Sequence, residues 1–320
     1  APMMKKLVSL VLALMLCLSC VSALAAEAWT VTCPWAPSGV AAMVNQKAAS
    51  LSTTYSQDYV LVANAEKGDT ATINSWLTKY TEADPQMCFI GEGMFGITAI
   101  LDPERMNFTY DDFEYVENLY SSIFVASARK ELGITSIDAL KAYLEEGNQI
   151  MVGTNGATGS EAFLAAALIG AMGYGDQFYL IPYESAAEAA QAVARGEVDI
   201  AVSHQSQILE TWQQGGVDVF AAFDGEPIAQ GPFKGVEGVG QYGYPYFRNR
   251  CFIFAKAGAD EQKIADLKAL YAQILTDEEM VDWLNNTMLL EADMMTEEEV
   301  IAHIDNVKNI VEEYYDLVAE

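Results

Sequence analysis

Gly153-Thr154-Asn155-Gly156-Ala157-Thr158-Gly159-Ser160 joins a strand-like run, residues 150–152, to a helix predicted over residues 161–172. A glycine-rich turn from strand to helix leaves backbone N–H groups free to meet a ligand at the positive end of the helix. A second turn of this kind, Pro34-Trp35-Ala36-Pro37-Ser38-Gly39, lies in the N-terminal part of the chain. Two such turns in separate halves predict a cleft that captures a small anion, or the polar end of a larger solute, between two domains.

Strand-like and helix-like segments alternate along the chain, which predicts an α/β fold with mainly parallel sheets. Two extended pieces, 114–120 and 123–128, are interpreted as the crossing into a second lobe, and the Gly- and Tyr-rich stretch 224–246 as the return. We therefore predict that residues 27–122 and 240–320 form lobe 1 and residues 123–239 form lobe 2. The remaining predicted strands are 29–33, 59–62, 87–90, 150–152, 178–181, 198–202, 217–220 and 252–255. Predicted helices that close the chain are 260–275, 277–286 and 296–317.

The first 26 residues have the pattern of a signal peptide, which indicates an extracytoplasmic protein. Two lysines, Lys5 and Lys6, precede the apolar run 7–18, and small residues lead up to Ala25. Cleavage after Ala25 is the preferred interpretation. The alternative is lipid attachment at Cys20, for which Cys17 occupies the position where a lipobox has leucine.

The formal net charge is −28, and the predicted leader contributes two lysines and no acid, so the remainder is more acidic still. Nucleic acid is excluded as a partner because its binding needs clustered Lys and Arg. An apolar content of 52% is too high for a disordered chain. Beyond the leader there remain three cysteines, Cys33, Cys88 and Cys251. They leave two readings open, buried free thiols or one bridge and one free thiol.

Several short motifs occur in an order that resembles a known family. They are Pro37-Ser38-Gly39 after the first strand, the turn 64–68, Asp112-Phe113-Glu114, the turn 153–160, Ile181-Pro182-Tyr183 and Gly196-Glu197-Val198-Asp199. This ordered set resembles the solute receptors of tripartite tricarboxylate transporters, also called the Bug family. The resemblance extends over nearly the whole chain after the leader.

The resemblance implies a two-lobed, hinged fold of the type II periplasmic-binding-protein kind, each lobe a mainly parallel sheet flanked by helices. It implies a monomeric receptor outside the membrane that captures a small organic acid and passes it to membrane permease subunits. In the family, the first-strand turn and the second lobe's glycine-rich turn hold a carboxylate through backbone N–H groups and water. The matching positions are Ala36, Pro37, Ser38, Gly39 and Val40, together with Thr154, Asn155, Gly156, Thr158, Gly159 and Ser160.

The sequence departs from the family pattern in both turns. Ala42 stands where the family has Asp, Ser38 replaces a glycine, and Glu161 and Ala162 stand where a histidine is common. Apolar side chains near the first turn favour an aromatic or branched carboxylate over citrate as a hypothesis. Those side chains are Trp35, Met43, Met94 and Phe95.

Five further positions are candidates from their place at strand ends. Gly91, in Gly91-Glu92-Gly93, belongs either to a structural turn or to a contact loop, in which Glu92 would meet an amine on the ligand. Tyr183 and His204 are candidate ligand contacts, although a histidine satisfied by internal hydrogen bonds explains His204 equally well. Arg248 and Arg250 either clamp a distal carboxylate or pair with surface acids.

No Gly-x-Ser-x-Gly elbow and no His-Glu-x-x-His motif is present, and only two histidines occur, so no catalytic residue, metal site or cofactor is predicted. The prediction is a solute-binding receptor and not an enzyme. Its alternative is a receptor for amino acids or other small solutes from a different transporter class. A secreted hydrolase is a remote alternative, and a structural or adhesive surface protein is disfavoured because no repeats occur.

Overall fold

The computed structural model of this protein describes residues 25–318, so the predicted leader lies almost entirely outside the described residues. Ten strands form two five-stranded sheets. The first sheet has the order β2-β1-β3-β10-β4. Its strands are β1 (Glu27–Cys33), β2 (Tyr59–Ala65), β3 (Gln86–Gly91), β4 (Phe113–Ser122) and β10 (Asn249–Lys256).

The second sheet repeats the pattern of the first, with the order β7-β6-β8-β5-β9. Its strands are β5 (Val125–Arg129), β6 (Ile150–Thr154), β7 (Phe178–Pro182), β8 (Ile200–Ser203) and β9 (Val217–Ala222). In each sheet one strand, β10 or β5, runs antiparallel to both its neighbours. The other four strands of each sheet run the same way, which agrees with the predicted mainly parallel sheets.

Helices flank both sheets, as the alternating pattern predicts. Their bounds are α1 (Val40–Tyr55), α2 (Thr70–Lys79), α3 (Ile137–Glu145), α4 (Ser160–Ala171), α5 (Ala186–Ala194), α6 (Gln205–Gln213), α7 (Glu261–Thr276), α8 (Glu278–Asp282), α9 (Glu297–Glu313) and α10 (Tyr315–Val318). Side chains of Ser136, Ser185, Asp260 and Thr296 cap the N-termini of α3, α5, α7 and α9. Helix α4 is apolar on nearly all sides and is buried over most of its length, which is the composition of a core helix.

Three local predictions differ from the structure. The segment after β3 is not a loop, because the chain passes through Glu92 directly into a π-helical stretch, Gly93–Thr98, and one α-helical turn, Ala99–Leu101. The helix predicted over 277–286 is α8 followed by a second π-helical stretch, Trp283–Thr287. The last predicted helix ends at Glu313, and α10 follows Tyr314, which has φ −103° and ψ 15°.

Two chain segments connect the sheets. The first runs from β4 to β5 through Ile123 and Phe124, and the second runs from β9 to β10 across residues 223–248. These are the two crossings that the sequence predicts, and we keep the lobe boundaries 122/123 and 239/240 as a proposal.

Helix α9 packs against the cores of both sheets. Val300 and Ile304 belong to the aromatic cluster around Phe254 on the first sheet. Val307 and Val311, two turns further along, pack with the core of the second sheet. The Cβ of a residue replacing Gly96 would lie 2.7 Å from Val307 Cγ1, so the π-helical stretch approaches α9 at the distance that only glycine permits.

Candidate ligand-binding cleft

A cavity of about 280 Å³ lies between the two sheets, at the ends of β1, β3, β6 and β8. Twelve of the fifteen predicted site residues line it, from both predicted lobes. They are Trp35, Ala36, Ser38, Gly39, Val40, Gly91, Asn155, Gly156, Thr158, Gly159, Ser160 and His204. A volume at the lower end of the range for ligand pockets is suited to a small solute.

Two helix N-termini meet at this cavity, and their local geometry is nearly identical. Gly39 precedes α1 with φ −74° and ψ 163°, and Gly159 precedes α4 with φ −74° and ψ 161°. No side chain caps either helix. The N–H groups of Val40 and Ala41 in α1 and of Ser160 in α4 have no acceptor in the described chain, whereas the N–H of Gly39 donates to Ala36 O at 2.9 Å and that of Glu161 to its own carboxylate. The cleft therefore holds unpaired donors at the positive ends of two helices.

The wall on the side of β1 is formed by Trp35, which is fixed in place by two contacts. Its indole Nε1 donates to Asp69 Oδ1 at 3.2 Å. Its ring also lies over the end of β3, where a Cβ on Gly91 would meet it at 3.5 Å. Met94 lines the cavity as well, but Met43 is partly exposed and Phe95 is buried in the aromatic cluster, and neither lines it.

Pro37, Thr154 and Tyr183 are predicted site residues that do not line the cavity. Pro37 is exposed on the outer side of its turn. Thr154 is buried, and its hydroxyl donates to Gly156 O at 2.9 Å, so it shapes the loop instead. The Tyr183 hydroxyl donates to Glu197 at 3.1 Å, which holds that side chain on the outer surface.

Side chains from the two sides of the cleft contact each other across it. Arg105 Nη1 and Thr98 Oγ1 donate to Thr158 Oγ1 at 3.1 and 3.3 Å. Lys67 and Glu184 form an ion pair at 2.5 Å. The Ser160 hydroxyl donates to Glu92 Oε1 at 3.1 Å. With these contacts in place, the structure is a closed arrangement of the two sides.

Glu92 lies behind the cavity wall, fully buried, so the sequence-based idea that it meets an amine on the ligand is wrong for this arrangement. Besides Ser160, it accepts hydrogen bonds from Asn249 Nδ2 at 2.8 Å and the backbone N–H of Arg250 at 2.9 Å. Burial raises its pKa, while these donors act in the opposite direction. Its carboxylate is a structural junction between β3, β10 and α4.

His204 lies at the cavity floor and is bonded internally on one side of its ring. Its Nδ1 is 2.7 Å from Ser122 Oγ. Its ring packs edge-on against that of Phe124, with 4.7 Å between the ring centroids. Burial lowers its pKa to about 3, so the imidazole is neutral at physiological pH. Its Nε2 forms no hydrogen bond within residues 25–318, and both sequence-based interpretations of His204 thus remain compatible with its position.

Arg248 and Arg250 pair with acids, as one of the two interpretations has it. Arg248 donates to Asp224 at 3.0 Å and to Glu291 at 2.7 Å. Arg250 donates to Asp293 at 2.7 Å and contacts His303 Nδ1 at 2.9 Å, although part of it lines the cavity. The three described cysteines are free and buried, so no disulfide forms among them.

The sequence reasoning missed several lining residues that come from other elements. They are Pro34, Ala41, Lys67, Gly68, Asp69, Gly93, Thr98, Arg105, Tyr120, Glu161, Glu184, Ser185, Ala186, Ala187, Gln207, Asn249 and Cys251. Glu161 differs from the other charged ones, because no cation of the described chain pairs with its carboxylate, which accepts a hydrogen bond from its own backbone N–H. Burial, with the nearby charges of Glu92 and Asp69, raises the pKa of Glu161 to about 7. Its position directly after Gly159-Ser160 was the only sequence signal available.

Across residues 25–318 no helix is both long and apolar enough to span a membrane. Within the same range, no group of three or more His, Cys, Asp or Glu side chains is arranged to hold a metal ion.

Comparison with solved structures supports the two-lobed fold. Rpa4515 of R. palustris, solved with adipate, is 15% identical with a TM-score of 0.79, and the alignment covers 91% of this chain and 97% of that one. MatC from Rhodopseudomonas palustris, with bound malate, is 17% identical with a TM-score of 0.75 over 91% and 99%. The periplasmic binding protein BugD is 16% identical with a TM-score of 0.78 over 92% and 98%. At these identities the likeness shows the fold, and the predicted periplasmic-binding-protein-like architecture is confirmed.

Comparison with curated protein sequences gave no match. The sequence model of the tripartite tricarboxylate transporter family receptors, in contrast, matches residues 57–310. That match covers well over half of the chain and includes the whole second sheet, the first sheet except β1, and the N-terminus of α4. This protein therefore belongs to the tripartite tricarboxylate transporter receptor family.

Proposed function

We propose that this protein is an extracytoplasmic receptor that captures a small organic acid between its lobes and delivers it to the permease of a tripartite transporter. The observation that carries the proposal is the meeting of two uncapped helix N-termini, α1 and α4, at one cavity. Unpaired N–H groups at a helix start bind carboxylates, and each helix end contributes up to about 2 kcal/mol in buried geometry.

The acidic exterior does not prevent anion capture. Charges separated by more than about 10 Å in 0.1 M salt are largely screened, whereas the donors inside the cleft act at hydrogen-bond distance. Water-bridged hydrogen bonds add to the direct contacts. The related structures solved with adipate and malate support a carboxylate as the ligand class.

Capture by lobe closure is the mechanism we infer. The ligand first contacts the α1 turn, and the α4 turn then closes over it, forming the contacts of Ser160 with Glu92 and of Arg105 with Thr158. Trp35 and Met94 supply the apolar part of the wall. The hypothesis of an aromatic or branched carboxylate rests on these two side chains alone, since Met43 and Phe95 lie elsewhere.

A thermal-shift screen of carboxylates, amino acids and nucleosides, followed by titration calorimetry of the hits, tests the proposal. A ligand that binds only the folded state raises the unfolding midpoint as its concentration rises. We expect the hits to share a carboxylate. Hits confined to nucleosides or other compounds that lack one would refute the proposal.

A further inference from the structure

The floor of the cavity carries a polar ring atom that pairs with no group of the described chain. His204 is only 7% exposed, yet it lines the cavity directly before the start of α6. The Nε2 of the other histidine, His303, is fully enclosed and lacks a hydrogen-bond partner, whereas the Nε2 of His204 lacks a partner but is not enclosed. The small surface that His204 retains therefore includes Nε2, and this atom faces the cavity.

Contacts on its other sides hold the ring of His204 in one orientation. Its Nδ1 is bonded to Ser122 Oγ at the end of β4, and Phe124 packs against the ring edge-on. Tyr120 packs on it at 6.4 Å between ring centroids. The backbone N–H of His204 donates to Gln207 Oε1 at 3.0 Å, which fixes the main chain at the start of α6. The direction of Nε2 is thus set by residues that follow both sheets.

The hydrogen bond with Ser122 decides which ring nitrogen of His204 carries the proton. Ser122 is 1% exposed, and its hydroxyl has no other hydrogen-bond partner in the described chain. A buried hydroxyl that did not donate would leave its proton unpaired, which is costly. Ser122 therefore donates to Nδ1, and in a neutral imidazole the proton then lies on Nε2. The burial that lowers the pKa of His204 to about 3 keeps the ring neutral.

We propose that His204 is a specificity-determining residue of the cleft, whose neutral Nε2–H donates a hydrogen bond to an oxygen of the bound organic acid. This inference rests on the proposed function, and it adds a side-chain donor to the backbone donors of α1 and α4. Because no group of the described chain pairs with this donor, a solute without an oxygen in reach of it leaves a buried N–H unsatisfied and binds less tightly. Ser122 is a positioning residue, since it acts through the ring of His204.

The first test measures the proton position by NMR on ligand-free protein with isotope-labelled histidine rings. Protonated and unprotonated imidazole nitrogens differ widely in chemical shift, and the sequence has only two histidines, so the signals lost in His204→Gln belong to His204. We expect Nε2 to be protonated and Nδ1 unprotonated. A proton on Nδ1 overturns the inference, because Nε2 would then be an acceptor and would repel a carboxylate oxygen.

Ser122→Ala tests the positioning role with the same spectrum. Without the hydroxyl donor, the ring of His204 is free to adopt either neutral tautomer, so we expect its two nitrogen shifts to move toward each other. Unchanged shifts would overturn the role given to Ser122.

The second test compares two substitutions that each keep one side of the ring's hydrogen bonding. Glutamine places its amide nitrogen near the position of Nε2, and asparagine places its amide nitrogen near that of Nδ1. The probe is the carboxylate that gives the largest thermal shift in a screen that includes adipate, malate, citrate and phenylacetate. In titration calorimetry, His204→Asn should lose at least about tenfold in affinity for this probe. His204→Gln is the matched control and should stay within about threefold of the wild type.

The outcomes separate this inference from the proposed function. If His204→Asn binds the probe as tightly as the wild type, the inference is overturned and the carboxylate receptor stands. Equal losses in the two variants also overturn it, since the ring would then be structural. Thermal unfolding checks the fold of each variant, and the proton position in the wild type tests the inference without any substitution. Failure of every carboxylate in the screen to bind refutes the proposed function itself.

Discussion

Replacing Gly159 by proline tests the role of the α4 helix end most directly. The backbone φ of Gly159 is −74°, close to the value of about −65° that the proline ring imposes. The N–H of Gly159 has no acceptor in the described chain, so the substitution removes no internal hydrogen bond. We therefore expect Gly159→Pro to keep the fold and to lose one donor that faces the ligand.

The magnitude follows from the value of a hydrogen bond to a charged group, about 1.5–3 kcal/mol, which corresponds to roughly a 10- to 100-fold loss of affinity. Proline also restricts the backbone of Thr158, so the lower figure is a minimum. Titration calorimetry with the tightest carboxylate measures the loss, and thermal unfolding of the ligand-free protein checks the fold.

Gly159→Ala is the matched control for this experiment. It keeps the N–H, and its Cβ would meet Glu161 Oε2 at 3.4 Å and Asn155 Oδ1 at 3.5 Å, which are ordinary contacts. Its affinity should stay within about threefold of the wild type. If the proline variant binds as tightly as the alanine variant, the α4 turn does not hold the ligand and the reasoning fails.

Three further predictions concern charge, closure and thiol burial. Ser160→Ala removes the hydrogen bond to Glu92 and should weaken binding by about 1 kcal/mol, roughly fivefold, in calorimetry; an unchanged affinity would show that this contact does not contribute to closure. The pKa of Glu161 in the fold, about 7, exceeds its ordinary value of 4.5, so the folded state binds more protons and stability falls as pH rises between these values. Between pH 4.5 and 7, urea unfolding should show the free energy of unfolding of the wild type falling by up to about 3 kcal/mol, a fall that is missing in Glu161→Gln. The same dependence on pH in both proteins would contradict this prediction. Because all three described cysteines are buried, and burial raises the pKa of Cys33 to about 12, a thiol reagent at pH 8 should label them only after unfolding; labelling of the native protein would contradict their burial.

The fold and the two turns are predictable because they depend on local sequence. Alternating strand and helix patterns predict the order of the elements. The two turns that end in Gly39 and Gly159 each mark the start of a helix soon after a strand. Periodicity alone does not predict how the two lobes are connected. The order of the family motifs along the chain supplies that prediction.

The electrostatics of the cleft depend on contacts between distant segments, and these could not be predicted. Lys67 contacts Glu184, which is 117 residues away in the sequence, and Asn249 contacts Glu92, which is 157 residues away. Burial decides what an acid does, so a pattern with 45 acidic residues could not distinguish Glu92, a buried junction, from Glu161, a cavity group that no cation contacts. The Thr154 and Tyr183 side chains were assigned to the site by motif, but each is bonded to its own loop or to the outer surface.

The shared helix α9 limits how this receptor can open. Val300 and Ile304 anchor its first half in one hydrophobic core, while Val307 and Val311 anchor the next turns in another. A free swing about the two connecting segments would pull one of these anchors into water. The lobes must therefore rotate about an axis near α9 when the receptor opens. The free-energy cost of the apolar area that this rotation exposes limits the angle to which the empty receptor can open.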